Sequence, residues 1–178
     1  MPIATYKFTV EGQQIGFNNR LKLSGLADIL QLAAWRHAVE LGFGLEELIA
    51  EYGLTWAMAK LQIKVEDFPV YGSELKVITW PKRKDHFYAY RDLEVYCKDQ
   101  KIATATSSYL MIDLKTRRPV SLIDKYEHLL DQENKHAIEE PPKKIASFQP
   151  MNWMEIKTGL TDLDINNHVN NVKYLDWA

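Results

Sequence analysis

The sequence has one cysteine, Cys97, among 178 residues, so no disulfide can close within the chain. That fits a reducing compartment and sets aside the disulfide-stapled secreted scaffolds. Cys97 falls in phase with Leu93 and Val95 and reads as a small core residue. A basic excess is missing too: 22 Lys and Arg stand against 24 Asp and Glu, a net charge of -2. Binding nucleic acid takes clustered cations that displace counterions from phosphates, so no nucleic-acid partner is expected. No apolar run approaches the ~20 residues of a membrane span. Met1 to Tyr6 shows neither the basic start nor the apolar stretch of a secretory signal. The expected location is cytoplasmic. His37, His86, His128 and His136 show no ligand spacing with His168 or Cys97, so no metal site is expected.

What is present describes a globular protein: 46% apolar and 26% charged residues, enough for a sizeable core. Ala4 to Val10 alternates around Tyr6, Phe8 and Val10 and predicts a strand. Ser24 as N-cap and Gly42 as stop bracket a helix whose first three turns are apolar almost all round, through Leu26, Ile29, Leu30, Ala33 and Trp35. A helix greasy on every side is one that something else wraps. A shorter amphipathic helix with Leu45, Leu48 and Ile49 on one face closes at Gly53. Four strand candidates follow: Thr55 to Glu66, Glu74 to Trp80, His86 to Lys98 and Ile102 to Asp113. Pro81 and the turn from Lys98 to Lys101 supply breaks. The layout predicts an α+β domain in which an antiparallel sheet wraps a central helix. After Asp124 the texture becomes charged and ends in Pro141-Pro142, which predicts a short polar helix and an extended linker. Met151 to Ile156 alternates again and predicts the opening strand of a second unit.

The chemistry concentrates at the end of the chain, in Asp164, Asn166 and His168, with an apolar helix candidate from Val172 to Ala178 directly behind. If the stretch is extended, steps of two put all three side chains on one side. An imidazole can take a proton from water, an amide can hold that water or a carbonyl oxygen, and a carboxylate can fix the imidazole or attack directly. Asn166 or Asn167 could also cap the helix, which is the purely structural reading of the same residues.

The run from Asp164 to Tyr174, with Asn166, His168, Asn170 and Asn171 at their places, closely resembles the signature of the plant and bacterial acyl-acyl carrier protein (acyl-ACP) thioesterases. Trp80, Arg91, Asp92 and Thr116 to Arg118 fall in that family's order as well, so the resemblance covers most of the chain. It implies a double hotdog fold and hydrolysis of fatty acyl-ACP, with acyl carrier protein as partner and no cofactor. His168 would be general base, Asp164 would orient it or act as nucleophile, and Asn166 would position water or substrate. The domains expected are a hotdog unit over residues 1–125, a linker over 126–150, and the start of a second unit over 151–178 whose remainder is missing from the sequence. Paired hotdog units usually associate, so a homodimer is possible. Acyl carrier protein is acidic, which makes Lys82 to Lys84 and Lys143-Lys144 candidate docking cations. An acyl-CoA thioesterase, a hotdog hydratase or a non-catalytic acyl-binding fragment are the alternatives.

An internal repeat is also expected. A shift of 142 positions sets Trp177 on Trp35 and Leu163 on Leu21, and places Asp164, Asn166 and His168 opposite Lys22, Ser24 and Leu26. The first copy would then supply shape and the second chemistry.

Overall fold

The structure, a computed structural model, describes residues 2–178 except residues 86, 128, 130–134, 141, 145, 148 and 166 and the side chains of residues 83–85, 125 and 127. The elements are β1 (Ala4–Thr9), a 3-10 turn (Gly12–Gln14), α1 (Leu23–Glu40), α2 (Leu45–Tyr52), β2 (Leu54–Val65), β3 (Glu74–Asp85), β4 (Tyr88–Cys97), β5 (Gln100–Asp113), β6 (Pro119–Val120), α3 (Asp124–Glu127), a second 3-10 turn (Leu160–Asp162) and α4 (Asn171–Trp177). The sheet runs β1-β3-β4-β5-β2, every pair antiparallel, with the short β6 also on β5.

The sheet wraps α1 as the alternation predicts. Tyr6 and Phe8 of the first strand and Val10 just after it turn inward, and Leu75, Val77, Leu93, Val95, Ile102 and Ala105 meet Leu26, Ile29, Leu30 and Ala33 of the helix. Each fully buried aliphatic side chain in such a layer contributes about 1.5–3 kcal/mol. Gly25 lets the helix press on the first 3-10 turn, because a Cβ there would sit 2.8 Å from the Gln14 backbone oxygen. The β4–β5 hairpin turns on Lys98 and Asp99, both left-handed at φ 48° and 63°, the geometry that matches strand twist in a two-residue loop.

Three expectations are corrected. Ser24 is not the N-cap: the Lys22 amide donates to the Gln14 carbonyl at 2.8 Å, the helix starts at Leu23, and Ser24 is buried inside it. Pro81 does not end β3, which continues to Asp85. The last residue of β3 paired with β1 is Thr79, so Pro81 has a neighbour on one side only, and the register slips just beyond it; a missing N–H is tolerated there. Met151 to Ile156 is not a strand, for no described strand lies beside it to complete a ladder, and Met151, Trp153 and Met154 are exposed.

The outer face of the sheet holds a feature the alternation does not announce. Lys82 and Asp92 are buried there as an ion pair at 3.1 Å. Asp92 also accepts from the Thr106 hydroxyl and, at 2.7 Å, from the Ala137 amide. Lys82 donates to the Ile138 carbonyl, Trp80 Nε1 to the Lys135 carbonyl at 3.2 Å, and Lys60 to the Pro142 carbonyl at 3.1 Å. Residues 135–140 and Pro142 are thereby strapped across the sheet. Lys82 cannot be a docking cation, since the pair with Asp92 keeps it inside. Among the described residues no helix is long and apolar enough to cross a membrane.

Candidate active site

The signature residues sit in a tight turn rather than an extended stretch. Leu163 and Val169 form a bridge, the Asp164 amide donates to the His168 carbonyl at 2.7 Å, and the Asn167 amide donates to the Asp164 carbonyl at 3.0 Å. Asn167 carries φ 61°, a left-handed conformation that asparagine adopts more readily than most residues. The Asp164 carboxylate accepts the His168 backbone N–H at 3.1 Å, so acid and histidine are joined by the turn itself, not by the period of a strand. Asn166 lies outside the described residues. The helix cap is neither Asn166 nor Asn167 but Asn170, whose side-chain oxygen accepts from the Val172 amide at 3.1 Å.

The repeat exists, at a different register. The 3-10 turns at Gly12–Gln14 and Leu160–Asp162, the bridges Ile15 to Leu21 and Leu163 to Val169, the left-handed Asn19 and Asn167, and the helix starts at Leu23 and Asn171 all stand 148 residues apart, not 142. Backbone bonds follow suit: Gly16 to Arg20 mirrors Asp164 to His168, and Lys22 to Gln14 mirrors Asn170 to Asp162. Asp164, Asn166 and His168 therefore stand opposite Gly16, Asn18 and Arg20. The shift of 142 fails because it aligns apolar residues between two helices and overlooks the shared Asn-Asn of the turns, Asn18-Asn19 and Asn166-Asn167. The earlier copy still lacks both acid and imidazole.

Asp164 and His168 line a cavity of about 1160 Å³. Its walls are the open side of α1, including Asp28, Leu32 and Trp35, together with β2, β5 and the Phe43 loop. Leu32 and Trp35 remain 43% and 47% exposed, so the sheet does not wrap α1 completely; the unwrapped side faces this cavity. Phe43, Trp56, Tyr109 and Tyr126 box part of it, with edge contacts of 5.0 Å for Phe43–Tyr126, 5.2 Å for Trp56–Tyr126 and 6.2 Å for Trp56–Tyr109. The Asp28 carboxyl is pushed up, first by burial and then by the Asp176 carboxylate. Asp162 is held low, first by the Gly159 amide it accepts, and pairs with Lys173 at 3.4 Å behind the turn.

Two polar residues inside the wrap, Arg91 and His37, were given no place in the site from sequence. Arg91, 5% exposed, reaches from β4 into the same cavity and donates through Nη1 to His37 Nδ1 at 2.8 Å and to the Thr79 hydroxyl at 3.1 Å. A guanidinium can only donate, so Nδ1 of His37 is the unprotonated acceptor. Burial, and then the Arg91 charge, lowers His37 to about 4 and keeps it neutral near pH 7. Arg91 falls in phase with inward Leu93 and Val95, and His37 lies one turn after inward Ala33; that phase was the available signal. Among the described residues no three His, Cys, Asp or Glu side chains gather as metal ligands, while His86 and His128 lie outside those residues.

An exposed imidazole and a carboxylate on one turn, at the wall of a largely apolar cavity, can deliver a base to a group whose chain lies inside. The chain is similar to known proteins. Residues 3–130 match the acyl-ACP thioesterase N-terminal domain and residues 145–178 the acyl-ACP thioesterase C-terminal domain. The chain is 29% identical over 187 residues to the chloroplastic palmitoyl-acyl carrier protein thioesterase of Cuphea hookeriana, covering 96% of this chain and 44% of that protein. It is 26% identical over 191 residues to oleoyl-acyl carrier protein thioesterase 2 of Arabidopsis thaliana, covering 97% and 52%. The chain thus spans about half the length of these curated relatives. The crystal structure of an acyl-ACP thioesterase from Bacteroides thetaiotaomicron superposes with a TM-score of 0.83 at 33% identity, covering 98% of this chain and 71% of that one. The 12:0-ACP thioesterase from Umbellularia californica, at 21% identity, shares the fold with a TM-score of 0.80, covering 98% and 73%. By its sequence and its hotdog architecture, the chain belongs to the acyl-ACP thioesterase family.

Proposed function

We propose that this protein is the acyl-binding half, and carries part of the catalytic apparatus, of a hydrolase that releases free fatty acid from fatty acyl-ACP. The observation that carries the reading is Asp164 and His168 on one turn at the wall of the 1160 Å³ cavity. The acyl chain would lie in the cavity with its thioester carbonyl at the turn. His168 takes a proton from water, the hydroxide oxygen adds to the carbonyl carbon, the carbon–sulfur bond breaks, and the pantetheine thiolate leaves with the proton. Asp164 holds the turn through the His168 amide, and Asn166 positions the water. Asp164 as nucleophile is the competing route, with an acyl-carboxylate anhydride that water then cleaves.

The domain reading proposed is a first hotdog unit over 1–125, a linker over 126–150 and the opening of a second unit over 151–178. Among the described strands β2 has β5 as its single neighbour, which leaves a row of backbone groups for a second unit or, in a homodimer, a second copy. Lys143 and Lys144 are exposed and remain candidates for contact with acidic acyl carrier protein. The proposed setting is the cytoplasm, where a charged carrier protein would be met.

The test compares thiol release by the protein from one acyl chain carried by acyl carrier protein and by coenzyme A. Faster turnover of the carrier-protein thioester is expected. A preference for the coenzyme A thioester assigns an acyl-CoA thioesterase instead, and tight fatty-acid binding with no release of thiol assigns an acyl-binding module.

A further inference from the structure

The guanidinium of Arg91 is an unusual group to find on the inner side of a hotdog sheet. Charged side chains with 5% exposure are normally paired with an opposite charge, because transfer from water is costly. Among the described residues Arg91 is bound by the neutral His37 ring and the Thr79 hydroxyl, both through Nη1, and by no carboxylate. Among the described residues no partner holds Nε or Nη2. Around the charge stand the phenols of Tyr109 and Tyr126, which burial pushes up and the Arg91 charge only partly offsets, and both line the same cavity. Asp28, Asp113 and Arg117 line the cavity as well, but among its charged side chains Arg91 is the one that is 5% exposed and held by neutral partners alone among the described residues. Along α1, Asp28 lines the cavity and His37 holds Arg91, a separation of nine residues or about 13 Å of helix rise. Length and polarity together fit a chain with an anionic head.

We propose that Arg91 is the anchor for a free fatty-acid carboxylate, which enters the cavity head first, turned end for end relative to an acyl thioester. The inference rests on the acyl-chain reading of the cavity and adds a regulation to it: the product acid returns as a competitive inhibitor that occupies the slot needed by the next acyl chain. A thioester substrate brings no carboxylate and leaves Arg91 to His37, Thr79 and water. The acid supplies the missing counter-charge through two charge-assisted hydrogen bonds, the fork geometry that guanidinium and carboxylate share.

The experiment is equilibrium binding of dodecanoate and of methyl dodecanoate to the protein, followed by tryptophan fluorescence, since Trp35 and Trp56 line the cavity. The acid is expected to bind about tenfold or more tighter than the ester, as one charge-assisted contact in a buried site implies. Arg91→Gln, checked for folding by circular dichroism, is expected to erase that difference while leaving ester binding in place. Equal affinities of acid and ester for the unsubstituted protein overturn the proposal without recourse to any variant. So does a preference for the acid that survives Arg91→Gln, or one lost in His168→Gln instead, which would put the carboxylate at the turn. Loss of acyl-ACP turnover as the function leaves these affinities untouched, so the two claims fail separately.

Discussion

Lys82 Nζ and Asp92 Oδ2 stand 3.1 Å apart on the outer face of the sheet, with side chains 1% and 0% exposed. Removing one partner leaves the other charge buried, which costs about 3–5 kcal/mol. Lys82→Met is therefore expected to lower the urea midpoint strongly and to free residues 135–140 for proteolysis. Lys82→Met combined with Asp92→Asn buries no net charge and should recover part of the loss. Strictly additive effects in that double-mutant cycle would show that the two groups are not coupled.

Gly25 makes a second stability prediction with an unusual sign. In an exposed helix, Gly→Ala gains about 1 kcal/mol. Here the new methyl would meet the Gln14 carbonyl oxygen at 2.8 Å, a backbone atom that the 3-10 turn holds in place. Overpacking costs about 1–3 kcal/mol, so Gly25→Ala should be net destabilising. A raised melting temperature would contradict the packing described.

Acid should destabilise the fold through His37. Its folded value of about 4 lies below the ordinary 6.5, so the unfolded chain binds the proton first. Stability is whole above pH 6.5, declines as pH falls from 6.5 towards 4, and levels off below for this group. The full effect is on the order of 2–3 kcal/mol. His37→Gln, which keeps an acceptor for Arg91, should flatten that limb in denaturant titrations at pH 7, 6, 5 and 4.5, whereas an unchanged slope would remove His37 from the account.

The turn has its own test in Asn167. At φ 61°, Asn167→Gly should be nearly neutral, while Asn167→Val should strain the turn by about 1–2 kcal/mol and displace His168 from Asp164. Acyl-ACP turnover is expected to follow the same order, and equal activity in both variants would mean the turn geometry does not matter to the chemistry.

Much of this was legible in the sequence. Strand alternation at Tyr6, Phe8 and Val10 or at Leu93 and Val95 reports which side is wet, and Gly42 and Gly53 mark helix ends because each supplies the left-handed residue that follows the helix. The run from Asp164 to His168 was legible as a cluster but not as a turn, since the same asparagines serve strands' ends, caps and left-handed corners. The repeat was visible, yet its register needed the backbone bonds at Gly16 and Asp164 to fix it. Arg91 and His37, 54 positions apart, showed only an inward phase and nothing of their pairing, and Lys82 with Asp92, on neighbouring strands, showed no pairing either, because a buried charge is defined by what arrives from elsewhere in the chain. Pro81 misled for a related reason: whether a missing N–H matters depends on which side of β3 is occupied.

The most direct test of the central claim is acyl-ACP hydrolysis by the protein carrying His168→Ala, compared with the unsubstituted protein at equal folded concentration. Loss of a general base predicts a fall in kcat of about 10²–10⁴ with little change in fatty-acid affinity. Undiminished turnover in a folded His168→Ala protein would contradict it.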